Sequence, residues 1–338
     1  MTKASGGQTD TAIPQLRRLT HRLEAATLLC TALLGCAHPW VSATGGAGPL
    51  EVRAVTVLRG HPGSRWTLRY VVQRGDEECT LIAKVYARDR GDVAATLSAL
   101  RHGGFGAGQC MQVAAPIAYL PMLRLLLLEE APGETACAAL GRGQVGGRAV
   151  GEWVARWLAA FHAAAPPLPA VYRWRDPLIG ARRWAWALGA GAPTLTGEAR
   201  HLLAALAAAR PAWPAPPHLV HGDFSASHVY LAAEVATVID WDAYGVGGAA
   251  EDAGRFLASL HHLAARDHAR RAAAALAAET FTQVYRAALP AAGQGLAFYE
   301  ALACLRTAKR LTVDGIPHRV RRAEALLAAG EQALVGSR

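Results

Sequence analysis

Apolar and polar positions alternate through much of the first third of the chain, then give way to a three-to-four-residue rhythm. The alternation predicts strands over 51–58, 66–72 and 79–86. The loop over 59–65 holds Gly60, Pro62, Gly63 and Ser64, and Arg74, Gly75 and Asp76 turn the chain between the last two strands. Residues 111–120 and 122–128 read as two more strands, broken at Pro121. A helix over 13–36, with Leu16, Leu19, Leu23, Ala26, Leu33 and Leu34 on helical spacing, precedes this half, and a helix over 92–102 lies within it. Beyond residue 131 the chain reads as helical over 145–162, 176–188, 196–209, 249–264, 267–288, 293–311 and 317–335. Glycines and a proline over 45–49 break the chain after the first helix. Prolines over 166–169 stop the 145–162 helix, and a proline-rich 211–217 makes a stiff linker. Residues 1–12 are small and polar and are expected to be disordered. The class is therefore α+β, with a β-rich half over 13–130 and a helical half over 131–338.

The helical rhythm is interrupted between 209 and 249 by a short apolar lead-in, a loop and a hairpin. Leu219 and Val220 run into His221 and Gly222, where the backbone turns without Cβ conflict. Asp223 follows directly, so its carboxylate projects from a loop. Residues 229–231 and 235–239 pair across a turn at 232–234, and Asp240 emerges at the end of the returning strand. The hairpin brings Asp240 back beside the loop that holds Asp223 and His228. Two carboxylates and a third ligand-capable side chain suit phosphoryl transfer: one acid orients an acceptor hydroxyl, the other holds magnesium on phosphate oxygens. The plain alternative is that both are ordinary turn aspartates.

His221-Gly222-Asp223-Phe224, then Val229-Tyr230-Leu231, then Val238-Ile239-Asp240-Trp241-Asp242 resemble the aminoglycoside phosphotransferase family of small-molecule kinases. The likeness runs from about residue 51 onward and is specific over 219–252. It implies a bilobal, protein-kinase-like fold, with a small β-rich N-lobe and a larger, mainly helical C-lobe. It also implies ATP or GTP as phosphoryl donor, magnesium as the ion and a small hydroxylated molecule as acceptor. Asp223 takes the catalytic-base position and Asp240 the metal position. His221 and Asp252 fall where the family supports its catalytic loop. The family has Asn or Gln five residues after the base; this chain has His228, which makes manganese an alternative ion.

Lys84 is one of three lysines in the chain and sits inside the apolar run 80–86. Burying it unpaired is costly, so it either faces water at a sheet edge or clamps nucleotide phosphates, as the resemblance implies. The family partner, a glutamate on the next helix, is missing; Asp92 is the single acid on 92–102. The loop with Gly60, Gly63 and Ser64 is either a plain hairpin loop or a phosphate cradle built from backbone N–H groups. The family connects its lobes by a segment matched here by Glu129 and Glu130 before Pro132-Gly133, whose backbone would pair with the nucleotide base. Trp153, Trp157 and Phe161 lie on one helical stripe and read as core. His261 and His262 have no acid or thiol at helical ligand spacing and read as a plain helix face.

The net charge of +9 is carried mainly by scattered arginines, without a dense run interleaved with aromatics, and nucleic acid is not an expected partner. Arg182, Arg183, Arg306, Lys309 and Arg310 either meet an anionic acceptor or simply solvate helix faces. A basic chain is a poor host for polycationic antibiotics, so a sugar, amino alcohol or other metabolite is an equal expectation. Six cysteines without a Cys-x-x-Cys pair suggest free thiols and a cytoplasmic protein. Arg17, Arg18 and Arg22 before the apolar run 25–34 imitate an export signal. Glu24 and the helical spacing favour an amphipathic helix packed on the body instead, and no membrane partner is expected. The rival functional reading is a non-catalytic nucleotide-binding or regulatory protein on the same scaffold, for which His228 and the missing helix glutamate speak.

Overall fold

The computed structural model describes residues 2–3, 9–33, 50–164, 176–211, 217–313 and 316–336. The 45–49 break, the 166–169 stop, most of the 211–217 linker and Cys36 lie outside them. The chain forms two compact units, Met1–Gly108 with Gln112–Ala131 and Gln109–Met111 with Pro132–Arg338.

In the first unit the expected strands form one antiparallel sheet. Its order is Thr2–Lys3, Glu51–His61, Arg65–Arg74, Glu77–Tyr86, Leu125–Glu129 and Pro116–Leu120. Side chains alternate across a strand, and one face gathers Leu68, Tyr70, Val72, Leu81, Ala83, Val85, Leu125 and Leu127. Ile13, Leu16, Leu19, Leu29 and Leu33 cover this face from the N-terminal segment. The segment packs on the body as expected, but as two helices, Leu16–Thr20 and Arg22–Leu33, in place of one, and Leu23, read on the packed stripe, is exposed; residues 34–36 lie outside the described residues. Tyr70 donates its buried hydroxyl to the Leu19 carbonyl at 2.7 Å, which satisfies a group that would otherwise be orphaned. Among the described residues no helix is long and apolar enough to cross a membrane.

Two local readings change. The single strand over 111–120 is two, Met111–Val113 and Pro116–Leu120, the second pairing with Leu125–Glu129 from Pro116 onward. Within 1–12, the residues read as disordered, Thr2–Lys3 adds to the sheet edge. Asp10 accepts hydrogen bonds from the Gly63 amide at 2.9 Å and from Trp66 Nε1 at 2.8 Å. These polar contacts of Asp10 are ones that composition does not register.

The second unit carries the expected helices: Gly143–Ala164, Pro177–Gly191, Thr196–Ala208, Ala249–Arg266, Arg271–Ala288, Leu296–Leu311 and Pro317–Val335. Asp176 caps one of them by accepting from Leu178 N at 3.0 Å, with Pro177 in the first turn. Leu188, Leu202, Leu305 and Leu326 centre a core shared by four of these helices. Gly254 lies where the backbone of Tyr299 and Glu300 passes against the Ala249–Arg266 helix, and any side chain there would drive the two helices apart. Five cysteines, Cys30, Cys79, Cys110, Cys137 and Cys304, are free thiols.

Candidate active site

The catalytic-loop candidates all lie in the second unit. Strand His218–Val220 pairs with Gly245–Gly247, and the loop begins where it ends. Gly222 has φ +79, and a Cβ there would run into the Ala243 carbonyl, so only glycine fits this turn. Phe224, the residue after Asp223, turns inward. It is fully buried, stacked 5.8 Å from Trp157, which also stacks on Phe161. The aromatic stripe of the Gly143–Ala164 helix thus forms the bed under the loop, with Trp157 and Phe161 in the core as expected and Trp153 only half-buried.

Asp252 fastens the loop from below. Fully buried in the first turn of its helix, it accepts from His221 N at 2.6 Å and Gly222 N at 2.9 Å. Burial alone would push its carboxyl up. His162, His221 and the Arg255 guanidinium together outweigh that and hold it below the usual range. His162 Nε2 stands 3.7 Å away, at ion-pair range and outside hydrogen-bond range. Ser259, seven residues on and two turns along the same helix, accepts from Ala226 N at 3.1 Å. Ser259 escaped the sequence reading, although its spacing from Asp252 places both on the face that meets the loop.

His221 links the two aspartates. Its Nε2 lies 2.9 Å from the Ile239 carbonyl, which can only accept, so Nε2 bears the proton. Nδ1 is then the acceptor for Asp223 N, at 3.2 Å. The ring therefore bridges the backbone beside Asp240 to the backbone of Asp223, and it must be neutral to do so. Burial lowers its pKa, as it does for His162 and His262. The unfolded chain would protonate these rings below their ordinary value of 6.5 while the folded chain resists. The unfolded state therefore binds more protons in that window, and stability falls as pH drops through about 6.5. Urea midpoints should be lower at pH 5.5 than at pH 7.5. Equal midpoints would mean that these rings are already charged in the fold.

Asp240 closes the returning strand of the hairpin Val229–Ala232/Val235–Val238. Its φ of 66 and ψ of 54 place it in the left-handed region, which Asp tolerates better than most residues and which recurs at functional sites. Trp241 supports that turn by donating to Val238 O at 3.0 Å and packing 4.8 Å from His221. His228 faces Asp240. Its Nδ1 donates to the Asp223 carbonyl at 2.8 Å, so in the neutral ring the Nε2 lone pair points outward, 3.5 Å from Asp240 Oδ2. Two acceptors facing each other at this distance suit a cation between them. Among the described residues no cluster of three or more His, Cys, Asp or Glu could hold a metal. A two-ligand protein site still fits magnesium, which keeps waters and takes substrate phosphates. The Asp223 carboxylate is partly exposed, and among the described residues no hydrogen bond ties it down.

The remaining candidates lie in the first unit. Lys84 is buried, 6% exposed, in a central strand between Thr67 and Leu126, which removes the edge-strand reading. By alternation it lies on the face opposite Ala83 and Val85, away from the N-terminal helices. Asp92 receives the Arg90 guanidinium at 2.9 and 3.1 Å. The phosphate-cradle reading of the loop meets a competing use of its amides: Gly63 N is taken by Asp10 and Ser64 N by the His61 carbonyl. Gly60 is small because the Trp66 ring lies against it. Glu129 ends the Leu125–Glu129 strand, and Glu130 pairs with Arg69 at 2.9 Å. His261 pairs with Glu300 at 2.7 Å, an acid from another helix that no local spacing could reveal.

The chain matches the model of a family described as the phosphotransferase enzyme family over residues 50–296. Among curated proteins no sequence matches it. Solved structures share its fold. A choline/ethanolamine kinase family protein from Mesorhizobium loti is 18% identical, with 94% of this chain and 99% of that one covered at a TM-score of 0.56. A glucosamine kinase bound to glucosamine, ADP and inorganic phosphate is 20% identical, with 92% and 85% covered at 0.59. A thermostable mutant of aminoglycoside phosphotransferase APH(4)-Ia, bound to AMP-PNP and hygromycin B, is 16% identical, with 84% and 94% covered at 0.56.

Proposed function

This chain belongs to the phosphotransferase enzyme family, and from that premise we propose that it moves the γ-phosphoryl group of ATP or GTP to a hydroxyl of a small molecule. The α+β, protein-kinase-like fold agrees with this. The observation that carries the reading is the neutral His221 ring, which holds the loop of Asp223 and the strand end of Asp240 in one register. Asp223 accepts the hydrogen bond of the acceptor hydroxyl, aims its oxygen at the γ-phosphorus and takes the proton as the new O–P bond forms. Asp240 and His228 would hold a divalent ion, magnesium or manganese. That ion supplies charge neutralisation to the phosphate oxygens. Lys84 serves the nucleotide phosphates. The cytoplasm is the compartment that supplies such nucleotides and keeps the thiols reduced.

The direct test is transfer of label from γ-labelled ATP or GTP to hydroxylated acceptors, with magnesium or manganese. Labelled acceptor and nucleoside diphosphate should appear in equal amounts. Nucleotide binding without transfer or hydrolysis under either metal would favour the non-catalytic rival.

Lys84→Ala should weaken nucleotide affinity and turnover together, each by roughly tenfold or more, because a phosphate clamp acts in ground and transition states alike. Calorimetry showing parental nucleotide affinity would remove Lys84 from the site.

His228→Asn tests the departure from the family pattern. An imidazole nitrogen favours manganese over magnesium more than an amide oxygen does. The ratio of manganese-supported to magnesium-supported turnover should therefore fall by about tenfold in the variant. An unchanged ratio would leave Asp240 as the sole protein anchor.

A further inference from the structure

A row of buried groups stands behind the carboxylate that holds the catalytic loop. Asp252 Oδ1 accepts from Gly222 N at 2.9 Å and Oδ2 from His221 N at 2.6 Å. His162 faces Oδ2: its Nε2 is 3.7 Å away, buried and without a hydrogen-bond partner. On the other edge of the ring, Nδ1 lies 3.0 Å from the Tyr285 hydroxyl. His162 comes from the Gly143–Ala164 helix and Tyr285 from the Arg271–Ala288 helix, 123 residues apart. Both side chains are closed to solvent.

The bond between Nδ1 and the hydroxyl can run either way, and electrostatics chooses. Burial lowers the pKa of His162, so the ring is neutral and carries a single N–H. With the proton on Nδ1, the Nε2 lone pair would face a carboxylate in a dry interior, where repulsion is poorly screened. With the Tyr285 hydroxyl as donor, Nδ1 accepts and the proton on Nε2 faces Asp252. The tyrosine is suited to donate, because burial and the Asp252 charge push its pKa up and keep its proton in place. Packing alone does not call for this hydroxyl. The Tyr285 ring stacks on Phe281, 5.5 Å between centroids at 8°, and a phenylalanine would stack equally well. Buried hydroxyls are kept where they have a partner, and among the described residues that of Tyr285 bonds His162 alone.

We propose that Tyr285 is a positioning residue for phosphoryl transfer: its hydroxyl fixes the His162 tautomer whose Nε2–H faces Asp252, and so keeps the Asp252 carboxylate on the amides of His221 and Gly222. Tyr285 thereby acts on Asp223 at a remove, through the ring, the carboxylate and the turn at Gly222. Its effect on rate rests on the phosphotransferase reading and deepens it; its effect on the loop does not depend on that reading.

Tyr285→Phe keeps the ring and deletes the donor. Hydrogen exchange reads the loop directly, without nucleotide, metal or acceptor. The amides of His221 and Gly222 should exchange at least about tenfold faster in the variant, while those of the Leu296–Leu311 helix keep their parental rates. A merely structural tyrosine would speed both segments together. Nitrogen NMR of the parent, with the His162 signals assigned by their loss in His162→Gln, should place the ring proton on Nε2. A parental proton on Nδ1 overturns the proposal whether or not the variant folds. Loop amides that exchange at parental rates, or only in step with the helix, overturn it as well.

Turnover of Tyr285→Phe at saturating acceptor should fall by about tenfold, with nucleotide affinity within about twofold, because the loss falls on the loop of the base and not on the phosphate clamp. Parental turnover in a variant with a loosened loop would also overturn the proposal. If the exchange and the tautomer come out as expected but the parent transfers phosphoryl to no acceptor, Tyr285 keeps its hold on the loop and the phosphotransferase reading falls instead.

Discussion

Asp223→Asn should lower turnover by on the order of 10² to 10⁴ while leaving nucleotide affinity within about twofold. The substitution keeps size and loop conformation. The backbone bonds that hold the residue, Asp223 N to His221 Nδ1 and the Asp223 carbonyl to His228 Nδ1, do not involve the side chain. The loss would thus fall on one function, accepting the acceptor's proton in the transition state. An amide cannot take that proton, and a merely structural aspartate would leave turnover within a few-fold of the parent. Single-turnover measurements at saturating acceptor separate the outcomes. A reduced chemical step with an unchanged binding isotherm supports the base. Equal loss of affinity and rate would instead mean that the loop had moved.

Asp240→Asn should lower metal-supported turnover by on the order of 10³, because several kcal/mol of phosphate charge stabilisation depends on the ion. The structure adds an unusual signature. Asp240 presents an acceptor oxygen to the Nε2 lone pair of His228 at 3.5 Å. An asparagine amide can donate across that gap, and asparagine also tolerates the left-handed backbone at this position. The metal-free variant should therefore melt no lower than the parent, and slightly higher if the new hydrogen bond forms. Adding manganese with nucleotide should raise the melting temperature of the parent and not of the variant. Equal metal-induced shifts in both would remove Asp240 from the metal site. A large drop in metal-free stability would mean that the aspartate serves the turn and not an ion.

Much of the site is local in the chain, which explains how much of it could be read early. His221, Asp223, His228 and Asp240 fall within one loop and one hairpin, where register follows from a short turn and alternation. Their relative placement needs almost no long-range information. Asp252 is harder, since its contact with His221 N crosses 31 residues, and the family resemblance supplied its role. The phosphate loop illustrates the opposite case. Glycine content suggested free amides, but Asp10 takes one of them across 53 residues, and no local pattern links the two.

By itself, the sequence determined the α+β class, the order of strands and helices along the chain and the paired aspartates, because periodicity and turn chemistry act over a few residues. Only the tertiary structure decided protonation and partnership. Neutral His221 follows from the Ile239 carbonyl at 2.9 Å and from burial by elements outside its own loop. The outward lone pair of His228 follows from where the Asp223 carbonyl sits. The close approach of two helices at Gly254 follows from residues distant in sequence and brought together by packing. Hydrogen-bond capacity is written in residue types, but whether it is satisfied depends on neighbours that only the folded chain provides.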